Sequence, residues 1–256
     1  MTHWIRYAHE GRTAYGTLEG DVVQPHRGDP FTAAEPVGAP MPLARVDVLA
    51  PSQPTKIIAL WNNYRALAAK LGQPAPQEPL YLLKAPTTVA RPGAEIRRPR
   101  FYEGRIVFEG ELGIVIGRAC KDADEDEAGR AILGYTCVND ITAADLLNKD
   151  PSFPQWARAK SFDGFCPFGP AIATDLDLDQ VVIRTRLDGE ERQNYPLADA
   201  VFQPARLVSL LSRDMTLLPG DLICMGTSLG VGAMKGPVNR VEVSIDGIGT
   251  LSNVLA

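Results

Sequence analysis

Histidine is nearly absent from this chain: there are three in 256 residues. All of them, His3, His9 and His26, lie near the N-terminus. The rest of the chain therefore lacks the side chain that most often moves protons at neutral pH, and any acid–base chemistry there falls to Lys, Glu, Asp, Tyr or a metal-bound water. Cysteine is also sparse. Cys120, Cys137, Cys166 and Cys224 form no Cys-x-x-Cys pair, which excludes a thiolate zinc cluster or a redox motif and predicts buried free thiols. There is no block of basic residues and the net charge is −5, so neither nucleic acid nor an anionic membrane surface is expected as a partner. A small molecule is. No run approaches the roughly 18 apolar residues of a membrane span, and the opening Met1 to Arg6 has no apolar stretch of the secretory kind, so the expected location is cytoplasmic.

What is present is a chain long enough for a full core, arranged as many short apolar runs between turn signals. Residues 1–50 read as a small N-terminal β domain: Trp4 to Tyr7, Thr13 to Leu18, a Glu19-Gly20-Asp21 turn, then Val22-Val23. Pro30 to Pro54, rich in proline and alanine, reads as an extended connection, with a domain boundary near Ala50. A second domain spans 56–256. Lys56 to Leu60 is a buried strand, Arg65 to Gly72 a helix that Asn62 or Asn63 can cap, and Leu80 to Lys84 another strand. Asp122 to Ala131 is an acidic helix, and the two prolines of Phe165 to Pro170 suit a rigid turn. Hairpin signals close the chain at Asp188-Gly189 and Asp246-Gly247.

The chemistry concentrates at Val107 to Ile116, Val-Phe-Glu-Gly-Glu-Leu-Gly-Ile-Val-Ile. In one extended strand Glu109 and Glu111 would share a face, with Cα atoms about 7 Å apart, and Phe108, Leu112, Ile114 and Ile116 would take the other. Two unpaired carboxylates in a core strand are costly to desolvate, and a divalent cation removes that cost. Asp140, at the end of the apolar run Ile132 to Val138, supplies a third. Three such carboxylates make a hard oxygen site suited to Mg2+ or Mn2+, with positions left open for water or substrate.

In order along the chain come Asn63-Tyr64, Phe108 to Leu112, Gly134-Tyr135-Thr136 with Asn139-Asp140, Trp156 with Lys160 to Asp163, Pro167 to Pro170, Pro219-Gly220-Asp221 with Gly226-Thr227, and Gly249-Thr250-Leu251 with Asn253. With these the sequence resembles the fumarylacetoacetate hydrolase superfamily. The resemblance implies a mainly β fold with short helices, an α+β mixed β-sheet roll, usually a homodimer. It also implies a divalent ion, Mg2+ or else Mn2+ or Ca2+, held by Glu109, Glu111 and Asp140. Members act on 2-oxo and β-diketo acids through a metal-stabilised enolate. Lys160 matches the lysine beside the metal, Thr227 the residue whose hydroxyl binds a substrate carboxylate, and Tyr64 and Lys84 recurrent positions that either pack or line the pocket.

The departures matter as much. Hydrolytic members carry His and Glu where this chain has Leu67 and Lys70, and the family often has Arg and Gln where this chain has Ala144 and Leu147. Leucine cannot activate water. The expected activity is therefore isomerisation, tautomerisation or decarboxylation of a 2-oxo acid of the aromatic-catabolism type, with Lys160, Glu103, Lys70 and Tyr64 as candidate proton-transfer groups. C–C bond hydrolysis of an acylpyruvate is the second expectation, and ligand binding without catalysis the third.

Overall fold

In the computed structural model, which describes residues 1–256, the acidic stretch that reads as one strand folds as two. Ile106–Phe108 pairs with Thr142–Ala143 and Gly232–Ala233 in a three-stranded sheet, whereas Gly110–Ile116 lies inside a thirteen-stranded sheet. The chain turns from one sheet to the other at Glu109. Gly110 lets the chain pass close to Thr185 just after this point, because a Cβ there would stand 1.9 Å from Thr185 Oγ1. Every residue of Gly110–Ile116 is buried, so neither face of this strand meets water. The alternation survives within it: Leu112, Ile114 and Ile116 enter the larger core, and Val115 enters a second core with Val138, Phe168 and Leu222. Each such side chain contributes about 1.5–3 kcal/mol by leaving water.

The large sheet is mixed. From one edge its main path runs Ala34–Pro36, Val22–Gly28, Arg12–Glu19, His3–His9, Cys166–Ala173, Ile132–Asn139, Gly110–Ile116, Leu222–Cys224, Ile57–Trp61 and Leu80–Lys84. Leu222–Cys224 and Ile57–Trp61 are parallel; the other pairs along this path are antiparallel. The N-terminal meander thus continues the sheet of the main body through His3–His9 against Cys166–Ala173. A second sheet of five strands is ordered Glu95–Ile96, Gly249–Leu255, Asn239–Ile245, Val182–Leu187 and Glu190–Pro196. Four short helices, Arg65–Leu71 (α1), Glu125–Ala131 (α2), Trp156–Lys160 (α3) and Pro204–Asp214 (α4), complete a mainly β fold. None is long and apolar enough to cross a membrane.

Four local expectations are corrected. The Pro30 to Pro54 segment is not a bare connection: Ala34–Pro36, Met41–Pro42 and Asp47–Leu49 pair with the meander, which proline permits at a sheet edge where its missing N–H faces no partner. Pro167 and Pro170 lie within the strand Cys166–Ala173, whose pairing with Ile132–Asn139 is irregular between Tyr135 and Cys137 and tolerates them. Neither Asn62 nor Asn63 caps α1. Tyr64 occupies the N-cap without a side-chain bond, and Asp199 Oδ2 accepts from Ala66 N at 3.0 Å instead. The acidic helix is shorter than expected, because the capping box between Asp124 and Glu127 fixes its start.

Candidate functional site

Three strand ends bring the acidic side chains together. Asp140 follows Ile132–Asn139, and its N–H donates to Glu109 O at 2.8 Å, so the turn at Glu109 and the end of the neighbouring strand hold one another. Ligand oxygens of Glu109, Glu111 and Asp140 all lie within 4.8 Å of one another. Glu111 and Asp140 are fully buried, and the Glu109 side chain keeps 16% of its surface exposed.

Two lysines are built into the cluster. Lys160, at the end of α3, donates to Glu109 Oε2 at 3.0 Å and to Asp140 Oδ2 at 2.5 Å. Lys84, at the end of Leu80–Lys84, donates to Asp140 Oδ1 and to Phe165 O, the latter at 2.9 Å. Burial alone would raise the Asp140 carboxyl, but Lys160 and Lys84 more than offset it and hold it below the usual range. Burial alone would lower the Lys160 ammonium, yet Asp140, Glu109 and Glu111 hold it well above the ordinary lysine range. Glu111 goes the other way: burial raises it, and the charge of Asp140 adds to that.

Five ionised groups would leave one negative charge in excess, and it settles on Glu111. Its Oε2 accepts from Gly226 N at 2.8 Å, while its Oε1 is buried with no partner at all. Thr142 Oγ1 donates to Glu109 Oε1 at 2.7 Å and leaves lone pairs free there as well. Hard carboxylate oxygens at this spacing, an uncompensated charge and an orphaned buried acceptor fit a divalent cation. These residues can hold one.

The other expected residues are placed less uniformly. Tyr64 is fully buried, its ring edge-on to Tyr195 at 4.8 Å between centroids, and its hydroxyl has no partner. Burial, then the charges of Glu111 and Asp199, push that hydroxyl up, so it stays protonated. Thr227 Oγ1 accepts from Gln193 Nε2 at 2.8 Å and donates to Gly110 O at 3.1 Å. Its proton is therefore already used within the chain. Glu103 does not join the cluster: it is exposed on the loop before Ile106, which Tyr102 and Arg105 tie to Asp145. It lines a groove of about 1050 Å³ with Arg97, Arg158 and Phe162, in which no ligand of the triad takes part. Lys70 is exposed, and Leu67 and Leu147 pack against the larger core.

Several residues that no short motif singled out shape the site. Gln193 holds the turn after Gly226 through Thr227 Oγ1, Ser228 O and Leu229 O, and its Oε1 accepts from Gly110 N at 3.0 Å. It lies in a hairpin strand whose pattern only alternates, so nothing local marks it. Asn63 and Asp221, noted above only within longer motifs, are structural clasps. Asn63 joins Met225 O to Phe202 N, and buried Asp221 gathers Thr55, Lys56 and Leu218 at the turn that enters Leu222–Cys224.

Comparison with known proteins agrees with this geometry. Residues 56–256 match the family model for the fumarylacetoacetate (FAA) hydrolase C-terminal domain, and residues 2–51 the Rv2993c-like N-terminal domain. Protein Rv2993c of Mycobacterium tuberculosis is 39% identical over 97% of this chain and 96% of its own length. Oxaloacetate tautomerase YisK of Bacillus subtilis is 35% identical over 82% of this chain and 73% of its own. The crystal structure of 2-hydroxyhepta-2,4-diene-1,7-dioate isomerase from Mycobacterium marinum superposes with a TM-score of 0.90 at 36% identity, covering 100% of this chain and 98% of that one. By fold, by acidic triad and by sequence, the chain belongs to the fumarylacetoacetate hydrolase family.

Proposed function

We propose that this protein catalyses the keto–enol tautomerisation or double-bond isomerisation of a 2-oxo acid. The observation that carries the proposal is the buried cluster of three carboxylates and two lysines, with no water-activating pair on α1, where Leu67 packs inward and Lys70 faces solvent. Glu109, Glu111 and Asp140 would hold a divalent ion, Mg2+ in our assignment, which when bound lowers the energy of negative charge developing on the 2-oxo oxygen.

The chain's own residues do the rest. Lys160 uses two of its three N–H donors on Glu109 and Asp140, so one remains to meet an oxygen that becomes negative. Held protonated by its carboxylates, Lys160 acts as an electrostatic partner or acid and not as the base. Lys84 fixes Asp140 from the other side. In this reading the unpartnered Tyr64 hydroxyl, also kept protonated, is the chain's candidate hydrogen-bond donor to the substrate. Similarity to an oxaloacetate tautomerase and to a dienedioate isomerase supports the same class of reaction. We also propose a homodimer, the assembly that the family resemblance implies, to be checked by sedimentation equilibrium.

The test is a Mg2+-dependent screen with oxaloacetate, an acylpyruvate and a 2-hydroxymuconate-type diacid, following enol loss, pyruvate and carbon dioxide separately. Enol loss without acylpyruvate cleavage is expected. Efficient acylpyruvate cleavage would overturn the proposal, because it would require a water-activating group that Leu67 cannot be.

A further inference from the structure

The two peptides that flank Gly110 join Glu109 to Glu111, and the strand pairing leaves their inner groups without partners. Residues along an antiparallel strand alternate between bonding the partner strand and facing away from it. Asp140 N–H donates to Glu109 O at 2.8 Å, so Gly110, opposite Asn139, turns its N–H and C=O away from that strand. The strand on the other side, Leu222–Cys224, pairs with Gly113 to Val115 and stops short of them. Gly110 is buried, and a buried N–H and C=O left bare are costly.

The second sheet meets them with side chains. Thr185 and Gln193 are partners across Val182–Leu187 and Glu190–Pro196, and Tyr195 lies two residues further along the same face. Gln193 Oε1 accepts from Gly110 N at 3.0 Å. The Tyr195 hydroxyl donates to Gly110 O at 2.6 Å, with the Thr227 hydroxyl as a second donor at 3.1 Å. Thr185 fills the space that a Cβ on Gly110 would need. One peptide plane therefore carries Glu109 O, bound to Asp140, and Gly110 N–H, bound to Gln193; the next carries Gly110 O and leads into Glu111. The backbones of all three triad residues meet at two peptides that another sheet holds in place.

A backbone fixed in this way bears on the choice of ion. Mg2+ demands a near-ideal octahedron with oxygens at about 2.0–2.1 Å and keeps several waters, whereas Ca2+ takes more oxygens at about 2.3–2.6 Å, often from bidentate carboxylates in a flexible shell. Each triad carboxylate already has an oxygen bound within the chain, to Lys160 for Glu109 and Asp140 and to Gly226 N–H for Glu111, which favours end-on ligands. We propose that Gln193 and Tyr195 are positioning residues for the metal centre: by clasping the Gly110 peptides they fix the spacing of Glu109 and Glu111, and so make the triad select Mg2+ over Ca2+. This rests on the divalent-ion part of the reading above and names what sets its ion preference.

The test titrates Mg2+ and Ca2+ separately into EDTA-stripped protein by calorimetry, for wild type, Tyr195→Phe, Gln193→Ala and Ser209→Ala, and records each melting temperature in EDTA. Tyr195→Phe keeps the ring and leaves Gly110 O its bond from Thr227, so this variant folds even if Gln193→Ala does not. Ser209, in α4, donates to Ala123 O at 2.8 Å and controls for lost stability alone. Wild type should bind Mg2+ the more tightly of the two ions. Both clasp variants should weaken Mg2+ by about tenfold or more, as loss of a hydrogen-bond partner behind a metal ligand typically does, and change Ca2+ by less than about threefold. Ser209→Ala should lower the melting temperature and leave the ratio of the two constants unchanged. A wild-type preference for Ca2+, a ratio that moves less than about threefold in Tyr195→Phe, or an equal shift in Ser209→Ala overturns the assignment and leaves the proposed function standing. The expected ratios in a protein that removes no enol would support the clasp and sink the functional proposal, and a wild type that binds neither ion would refute both.

Discussion

Replacing Asp140 with alanine should unfold the site as well as empty it. Asp140 is the only carboxylate bonded to Lys84, which is fully buried, and the closer of two bonded to Lys160. Its removal leaves one buried ammonium with only the Phe165 carbonyl and another with only Glu109. Breaking a buried pair by removing one partner costs roughly 3–5 kcal/mol. At about 2–4 °C per kcal/mol for a chain of this size, the melting temperature should fall by roughly 6–20 °C. Glu111→Gln should behave in the opposite way in EDTA. It keeps an acceptor for Gly226 N–H while removing the charge that the cluster leaves uncompensated, so the metal-free protein should melt at or above the wild-type temperature. Both variants should lose divalent-ion binding. The assay is thermal unfolding by circular dichroism in EDTA and again in excess Mg2+, with calorimetric titration of the ion. An Asp140→Ala protein that melts within 2 °C of wild type, or a Glu111→Gln protein that is the less stable of the two, would refute the charge accounting.

The remaining predictions draw on the same geometry. Because Glu111 is raised well above the usual carboxylate range by burial and then by Asp140, the folded metal-free protein binds a proton that the unfolded chain releases near pH 4.5; its stability should therefore fall as pH rises above about 5, and Glu111→Gln or saturating Mg2+ should flatten that slope in melts taken between pH 5 and 8. Tyr64→Phe removes a buried hydroxyl with no partner, so it should leave the melting temperature unchanged or higher while lowering the rate of enol loss at least tenfold; a normal rate would remove Tyr64 from the mechanism. Gly110→Ala drives a methyl into Thr185 Oγ1 and should destabilise the fold by about 1–3 kcal/mol in chemical denaturation. Leu67→His with Lys70→Glu should raise pyruvate release from an acylpyruvate at least tenfold if the missing pair is what blocks hydrolysis, toward the 10² to 10⁴-fold that a general base contributes; no gain would place the block in the pocket itself.

Much of the fold was legible because its strands are short, apolar and punctuated by glycine and proline. The hairpins at Asp188-Gly189 and Asp246-Gly247, the acidic helix and the strand into Gly226 all announce themselves by local chemistry. The split at Glu109 did not, because alternation along Val107 to Ile116 is unbroken in sequence and the strands that draw its two halves into different sheets lie far away in the chain. Pro167 and Pro170 misled for a related reason: whether a proline N–H is missed depends on the neighbouring strand. At the site, the triad was visible from residue type, and Lys160 and Lys84 from their place in the resemblance. Gln193 was not, since a glutamine in a hairpin carries no signal until its hydrogen bonds are seen.

The two lysines bear on why the triad can serve chemistry and not merely structure. A site of three buried carboxylates alone would be held apart by its own charge until an ion arrived, and ion binding would then be coupled to folding of the site. Here Lys84 and Lys160 compensate two of the three, and they accept the cost of burial because Asp140 pairs with both and Glu109 with Lys160. The carboxylates can therefore take their positions without an ion, the one uncompensated charge falling on Glu111, whose burial favours its protonated form until an ion takes the proton's place. A dication bound by the three ionised carboxylates would bring the cluster to one net positive charge, and under the proposed function that excess is what an anionic 2-oxo acid would meet. Neutralising Lys84, as in Lys84→Met, would shift the loaded cluster to zero and so should weaken oxalate more than it weakens Mg2+. If oxalate affinity is untouched while Mg2+ affinity collapses, the lysine serves the ion and the charge of the loaded site does not select the substrate.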